Sequence, residues 1–307
     1  MSNKNTLINL LNEGNFTKAY ESLSSELQEE NEVEHLVLLH RIIKFWQNRE
    51  EKLTKLVHPY EQALAYYNEW EAFESFMKEN KINPSIPEVH AIHNFVFNKA
   101  LNSFLDSRSQ SRINDIDLLK KISICFRELG EYDNSIKTLQ YAYRLNKDQL
   151  ISLMLADVFY AKGQFSHAKI LFKDTFFLEN NIAFDTKYIV CDKINEIIEN
   201  IKKDNYPEYL VLEWIPVYGY IDSFLNVKRE LSENEFEKVS ADLVKFEKLY
   251  YSKQELKPEL EPKILKKCIL MLEYYIYQVK DEIKKNQYLL KIHNLNESLA
   301  KQIELVL

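Results

Sequence analysis

Glycine is nearly absent from this chain: there are four in 307 residues, with seven prolines. Strands are joined by tight turns that draw heavily on these two residue types, so a chain so poor in them is built from helices. Three of the four glycines sit in one recurring phrase, NEGNFTKAYESL around Gly14, RELGEYDNSIKTL around Gly130 and AKGQFSHAKILF around Gly163. Each is followed by one polar residue, then an aromatic (Phe16, Tyr132, Phe165), then a small residue three further on (Ala19, Ser135, Ala168). A glycine between two segments of helical period lets the backbone take a positive φ, which predicts a tight turn inside a helical hairpin at each of the three. Gly130 and Gly163 lie 33 residues apart, and recurrence at such a period marks stacked repeats.

The clearest stretch is 116–181. Ile116, Leu119, Ile122, Phe126 and Leu129 recur at helical spacing, Gly130 turns the chain, and Tyr132, Ile136, Leu139 and Tyr143 resume the period. Leu155, Phe159 and Tyr160 precede Gly163 in the same way, and Phe165, Leu171 and Phe172 follow it. Small residues fall at matching places, Ser123 with Ala156 and Ser135 with Ala168, where two helices can approach closely.

A helix–turn–helix of this length with these small and large positions resembles the tetratricopeptide repeat (TPR). The resemblance covers DLLKKISICFRELGEYDNSIKTLQYAYRLN and SLMLADVFYAKGQFSHAKILFKDTFFLE, and in part residues 3–28. Lys147 and Asn180 replace the proline that often closes a repeat, and Phe126 and Phe159 stand where tyrosine is usual, so the repeats are divergent. The resemblance implies an all-α, right-handed superhelix of antiparallel helical hairpins, a TPR-like α-solenoid with irregular N- and C-terminal helices. The expected division is 1–115, N-terminal hairpins with one partial TPR; 116–181, two TPR units; and 182–307, a C-terminal helical region and cap.

Outside the repeats, 33–48, 59–79 and 87–106 read as amphipathic helices, the last two opened by Pro59 and Pro87. The polar run 106–115 reads as a loop. TKYIVCDKINEIIENIKK reads as one long helix, and YPEYLVLEWIPVYGYIDSFLNVKREL, apolar on every side, as the core of the C-terminal region, with Pro216 kinking a helix or separating two. A loop holding Pro258 and Pro262, a helix through EPKILKKCILMLEYYIYQVKDEIKK and a terminal cap complete the chain.

The net charge of −7 argues against a polyanion binder, since such affinity rests on neutralising phosphates. Glu26, Glu29, Glu30, Glu32 and Glu34 form an acidic linker, read as solvated surface or as a docking face for a basic partner. Cys125, Cys191 and Cys268 are far apart without metal spacing and read as buried free thiols in a reducing compartment. With no signal peptide and no membrane span, the expected location is cytoplasmic, with no membrane partner.

His90 and His93 are one helical turn apart, but a metal site needs further ligands and none is near in sequence, so no metal or cofactor is expected. The chain has no glycine-rich phosphate loop and no GxSxG phrase, and nothing in it recommends an enzyme. Lys266, Lys267, Tyr274, Tyr275 and Tyr277 read as one wet and one buried helix face rather than a nucleic-acid groove.

The TPR resemblance implies a concave groove, lined by the first helix of each hairpin, that holds a protein or peptide partner. The expected lining is Asp117, Lys120, Lys121, Ile124 and Arg127 in one repeat and Leu153, Met154, Asp157 and Tyr160 in the next. Lys120 matches the lysine with which some TPR domains grip a terminal carboxylate, but Ile124 and Met154 stand in place of the asparagines. The expected function is a non-catalytic adaptor or scaffold. Two alternatives stay open: a regulator touching nucleic acid or the transcription or translation machinery through the C-terminal third, and a purely structural core whose groove is filled by the chain's own C-terminal helices.

Overall fold

A computed structural model describes residues 2–26, 33–110, 115–180 and 184–307, and among these there are helices and turns but no strand. The acidic run Glu29, Glu30 and Glu32 lies outside the described residues, as do the side chains of Glu26 and Glu34. The chain forms two compact units, Met1–Ala142 and Tyr143–Leu307.

The first unit holds α1 (Ser2–Glu13), α2 (Phe16–Glu26), α3 (Val33–Thr54), α4 (Pro59–Glu79), α5 (Pro87–Gln110), α6 (Ile116–Glu128) and most of α7 (Tyr132–Leu145). Its core is aromatic. Phe16 stacks on Trp46 with ring centres 5.7 Å apart and meets Phe95 edge-on at 5.5 Å, while Trp70 and Phe73 continue the cluster along α4. The second unit holds α8 (Gln149–Ala161), α9 (Phe165–Lys173), α10 (Asp192–Lys203), α11 (Val211–Ile221), α12 (Glu233–Ser252), α13 (Lys257–Glu273), α14 (Glu282–Leu295) and α15 (Glu297–Val306). The boundary between units falls within α7, so the two hairpins expected at 116–181 lie in different units.

All three glycine turns have one geometry. Gly14, Gly130 and Gly163 sit at φ +74°, +73° and +80°. In each, the glycine N–H bonds the carbonyl three residues back and the next N–H bonds the carbonyl five back, as in Gly163 to Tyr160 and Gln164 to Phe159. That pair of bonds satisfies carbonyls otherwise orphaned at a helix end, and the left-handed residue between them favours glycine. The same two bonds close α4 around Lys81, at φ +53°. Gly219 differs: it lies within α11, where an added Cβ would stand 2.6 Å from Leu225 Cδ1.

The small residues are buried within their hairpins. Ser135 Oγ donates to the Ser123 carbonyl at 2.8 Å, joining α7 to α6, and Ala156 and Ala168 are fully buried in the second hairpin.

Several boundaries differ from the sequence reading. Residues 106–110 continue α5 rather than forming a loop, and 111–114 lie outside the described residues. The expected long helix from Thr186 is a short 3-10 turn to Tyr188, with α10 starting only at Asp192. Pro216 sits inside α11 without ending it, and eight of that helix's eleven residues are buried. Pro258 and Pro262 both lie in α13: Pro258, the second residue of the helix, loses little by its missing N–H, whereas Pro262 sits inside the helix, which continues past it without that bond. The helix expected to run through 261–285 is interrupted by a π-helical turn at Tyr274–Val279 and by Lys280 at φ +59°. A second π turn, Asp174–Leu178, extends α9.

Candidate functional site

In the first unit, α6 begins at Asp115, whose carboxylate accepts from the N–H groups of Asp117 and Leu118. Anchoring the first turn in this way fixes which side chains follow on each face. Asp117 is exposed and pairs with Lys120 at 2.7 Å. The hydrogen bond and charge of Lys120 hold the Asp117 carboxyl below the usual range. Lys121 is half-buried and Ile124 buried. Arg127 turns to its neighbour Glu128, donating from Nη2 at 2.7 Å and from Nε at 3.1 Å.

Glu128 also meets His93 of α5, with Nε2 to Oε2 at 3.2 Å, so this histidine is tied to a carboxylate rather than to His90. Burial alone would raise the Glu128 pKa, but the His93 hydrogen bond and the Arg127 charge outweigh it and leave it lowered. The imidazole packs against Trp70 and Phe97 with ring centres 4.9 and 4.6 Å away. Among the described residues no group of three or more His, Cys, Asp or Glu side chains is arranged to hold a metal ion.

In the second unit, the matching face of α8 is covered by the unit's own chain. Leu153, Met154 and Asp157 are all buried. Asp157 accepts from the backbone N–H of Cys191 at 3.0 Å and of Val190 at 3.2 Å. These N–H groups stand at the entrance to α10, and binding them explains why α10 starts at Asp192 and not earlier. Tyr160 lies against Phe165 and Phe224, ring centres 5.0 and 5.9 Å away. Of the residues expected to line a groove, Asp117 and, in part, Lys120, Lys121, Arg127 and Tyr160 face solvent, whereas Ile124, Leu153, Met154 and Asp157 do not.

Sequence reasoning missed the polar interior of the second unit. Lys266 and Lys267, expected on a wet face, are fully buried, and Lys173 is nearly so. Lys173 Nζ donates to both Glu273 oxygens at 2.7 and 2.6 Å and to the Val227 carbonyl at 2.6 Å. Burial pushes Lys173 down and Glu273 up, both toward neutrality, against their mutual attraction. Lys266 pairs with Glu213 of α11 at 3.0 Å. Lys267 lacks so close a carboxylate: it donates to the carbonyls of Leu178 at 2.9 Å and Phe177 at 3.1 Å. Burial, then the neighbouring Lys266 charge, brings its pKa down to about 7.

One signal could have found this pair. Residues 264–272 read ILKKCILML, and two lysines among apolar residues on every side of a helix have no wet face to occupy.

A cleft of about 190 Å³ opens beside these elements, lined among others by Gln149, Ser152, Thr175 and Arg229. Arg229 forms a two-pronged bond to Glu235 at 2.8 and 2.5 Å and reaches Asp174 at 2.8 Å, so its guanidinium is committed to holding the segment before α12. No described helix is long and apolar enough to cross a membrane. Searches for a matching protein-family model, a matching curated protein and a matching solved structure found none for this chain.

Proposed function

We propose that this chain is a non-catalytic, TPR-like adaptor in which the α6–α7 hairpin offers the partner-binding face and the α8–α9 hairpin is architectural. The observation that carries this reading is the contrast between two equivalent faces. On α6, Asp117 is exposed and Lys120 and Lys121 are partly so, while on α8 the buried carboxylate of Asp157 is spent on the entrance to α10. The partner is a peptide or helix that places carboxylates against Lys120 and Lys121. The right-handed superhelical arrangement is part of the same proposal, supported by the shared geometry of the glycine turns, the bond joining Ser135 to Ser123, and the burial of Ala156 and Ala168 at the matching positions. A cytoplasmic location is proposed with it, supported by three buried free thiols, each with its pKa pushed up to about 12 by burial.

The test is affinity capture from the native host with wild type, the double variant Lys120→Glu with Lys121→Glu, and Lys137→Glu, an exposed α7 position, as the charge control. The reading expects a partner that is retained by wild type and the control and lost by the double variant. A partner held equally by all three would remove α6 as the binding face.

A further inference from the structure

We propose that Lys267 is a proton-operated latch in the second unit: seated as a neutral amine on two carbonyls, it recruits the Asp242 carboxylate when protonated and so tightens α12 onto α13. The argument begins with counting donors. A neutral amine has two N–H donors and an ammonium has three. Two acceptors lie within hydrogen-bond reach of Nζ, the carbonyls of Phe177 and Leu178 at the end of the π turn. The next candidate is Asp242 Oδ2 on α12, at 4.0 Å. That oxygen is itself buried and has no hydrogen-bond partner. The arrangement therefore satisfies the two donors of the neutral form and leaves a third without an acceptor. A shift of about 1 Å brings the carboxylate to ordinary bonding distance and satisfies both groups at once.

The surroundings set the pH at which this happens. Lys267 is fully buried, and Lys266 beside it is a second cation whose own partner is Glu213 on α11. From α12 come Asp242, which favours the charged form, and Lys238, which opposes it; Glu179, just past the π turn, favours it. The α14 side presents Lys291, paired with Glu247 of α12, toward the neighbouring Cys268. Burial and the like charges prevail, so the amine releases its proton near neutrality. Acidification through that range supplies the third N–H and calls in Asp242.

The test follows the Lys267 Cε and Asp242 Cγ resonances by NMR from pH 5.5 to 9.5 in the full chain. The expected result is a Lys267 midpoint near 7, with the Asp242 carboxylate shift tracking the same midpoint. In Lys267→Met that Asp242 response disappears, and in Asp242→Asn the lysine midpoint falls further, because the attracting charge is gone. The proposal is overturned if Lys267 stays charged through pH 9, or if it titrates near neutrality while Asp242 does not respond. Both readings come from the wild-type protein, so a variant that fails to fold leaves the proposal open to refutation.

Discussion

Three glycines with nearly the same backbone angle make a controlled experiment in what a single methyl group costs. Replacing any of them with alanine forces a left-handed conformation on a residue with a Cβ, worth about 1–2 kcal/mol. Alanine also stiffens the unfolded chain, which returns about 0.4–1 kcal/mol. At Gly130 and Gly163 nothing lies within 4 Å of the added Cβ, so the net loss there is about 0.5–1 kcal/mol. At Gly14 the same atom would stand 2.1, 2.2 and 2.7 Å from three atoms of the Phe95 ring. That ring is held edge-on by Phe16 and by Tyr66, 5.5 and 5.8 Å away, and cannot withdraw without disturbing both. Overpacking of this kind costs about 1–3 kcal/mol more, giving about 2–4 kcal/mol in total for Gly14→Ala. Urea unfolding followed by tryptophan fluorescence measures the difference, because Trp46 and Trp70 report on this core. Gly14 and Gly130 belong to the same unit, so the two variants are read on one transition. A Gly14→Ala protein that loses no more stability than Gly130→Ala would refute the packing argument and leave only the backbone term.

Lys267→Met removes a buried amine whose pKa is depressed to about 7, while the unfolded chain keeps its proton to a much higher pH. Unfolding therefore takes up a proton in that window, the lysine's destabilising effect is greatest below pH 7 and fades as pH rises, and from pH 7.5 to 9.5 wild type gains about 2–3 kcal/mol on the variant in urea melts. Glu235 runs the opposite way: the Arg229 hydrogen bond holds its carboxyl near 2, so its contribution is present above the usual carboxylate range and is lost as pH falls toward 2. Glu235→Gln is expected to lose about 1–2 kcal/mol at pH 6, after allowance for solvent screening, and to match wild type near pH 2 in acid-unfolding curves. Ser135→Val deletes the bond to the Ser123 carbonyl at a fully buried position. It is expected to lower stability by about 1–3 kcal/mol in calorimetry, whereas Ser135→Ala, which adds no bulk, costs about 1 kcal/mol.

The features legible in the sequence are those where geometry dictates a residue type. A left-handed turn favours glycine and a close helix approach favours a small side chain, so the three hairpin turns and the small positions Ser123 and Ser135 are legible in the sequence, while the bond between those two serines is not. Lys81 makes the same turn with the same two bonds, and no residue preference announces it. The TPR resemblance puts Asp157 among the residues lining the groove. It accepts instead from backbone N–H groups just beyond its own hairpin, which no helical period reveals. The buried lysines escaped for a related reason: Glu213 lies 53 residues from Lys266 and Glu273 lies 100 from Lys173, so compensation arrives from elsewhere in the chain. The two π turns likewise left no mark, since an extra residue within a helical turn keeps the same apolar composition.

The bond between Lys173 and Glu273 separates this protein from a string of interchangeable modules. Arrays stabilised by nearest neighbours can be shortened from one end and keep what remains. Here the second unit closes on itself across 100 residues, and a chain ending before Glu273 keeps an interior cation whose counter-charge is missing. Removing one partner of such a pair costs about 3–5 kcal/mol. During synthesis the unit therefore gains its full stability late, after Glu273 has left the ribosome, and trimmed versions intended for expression or crystallisation should keep α13 whole.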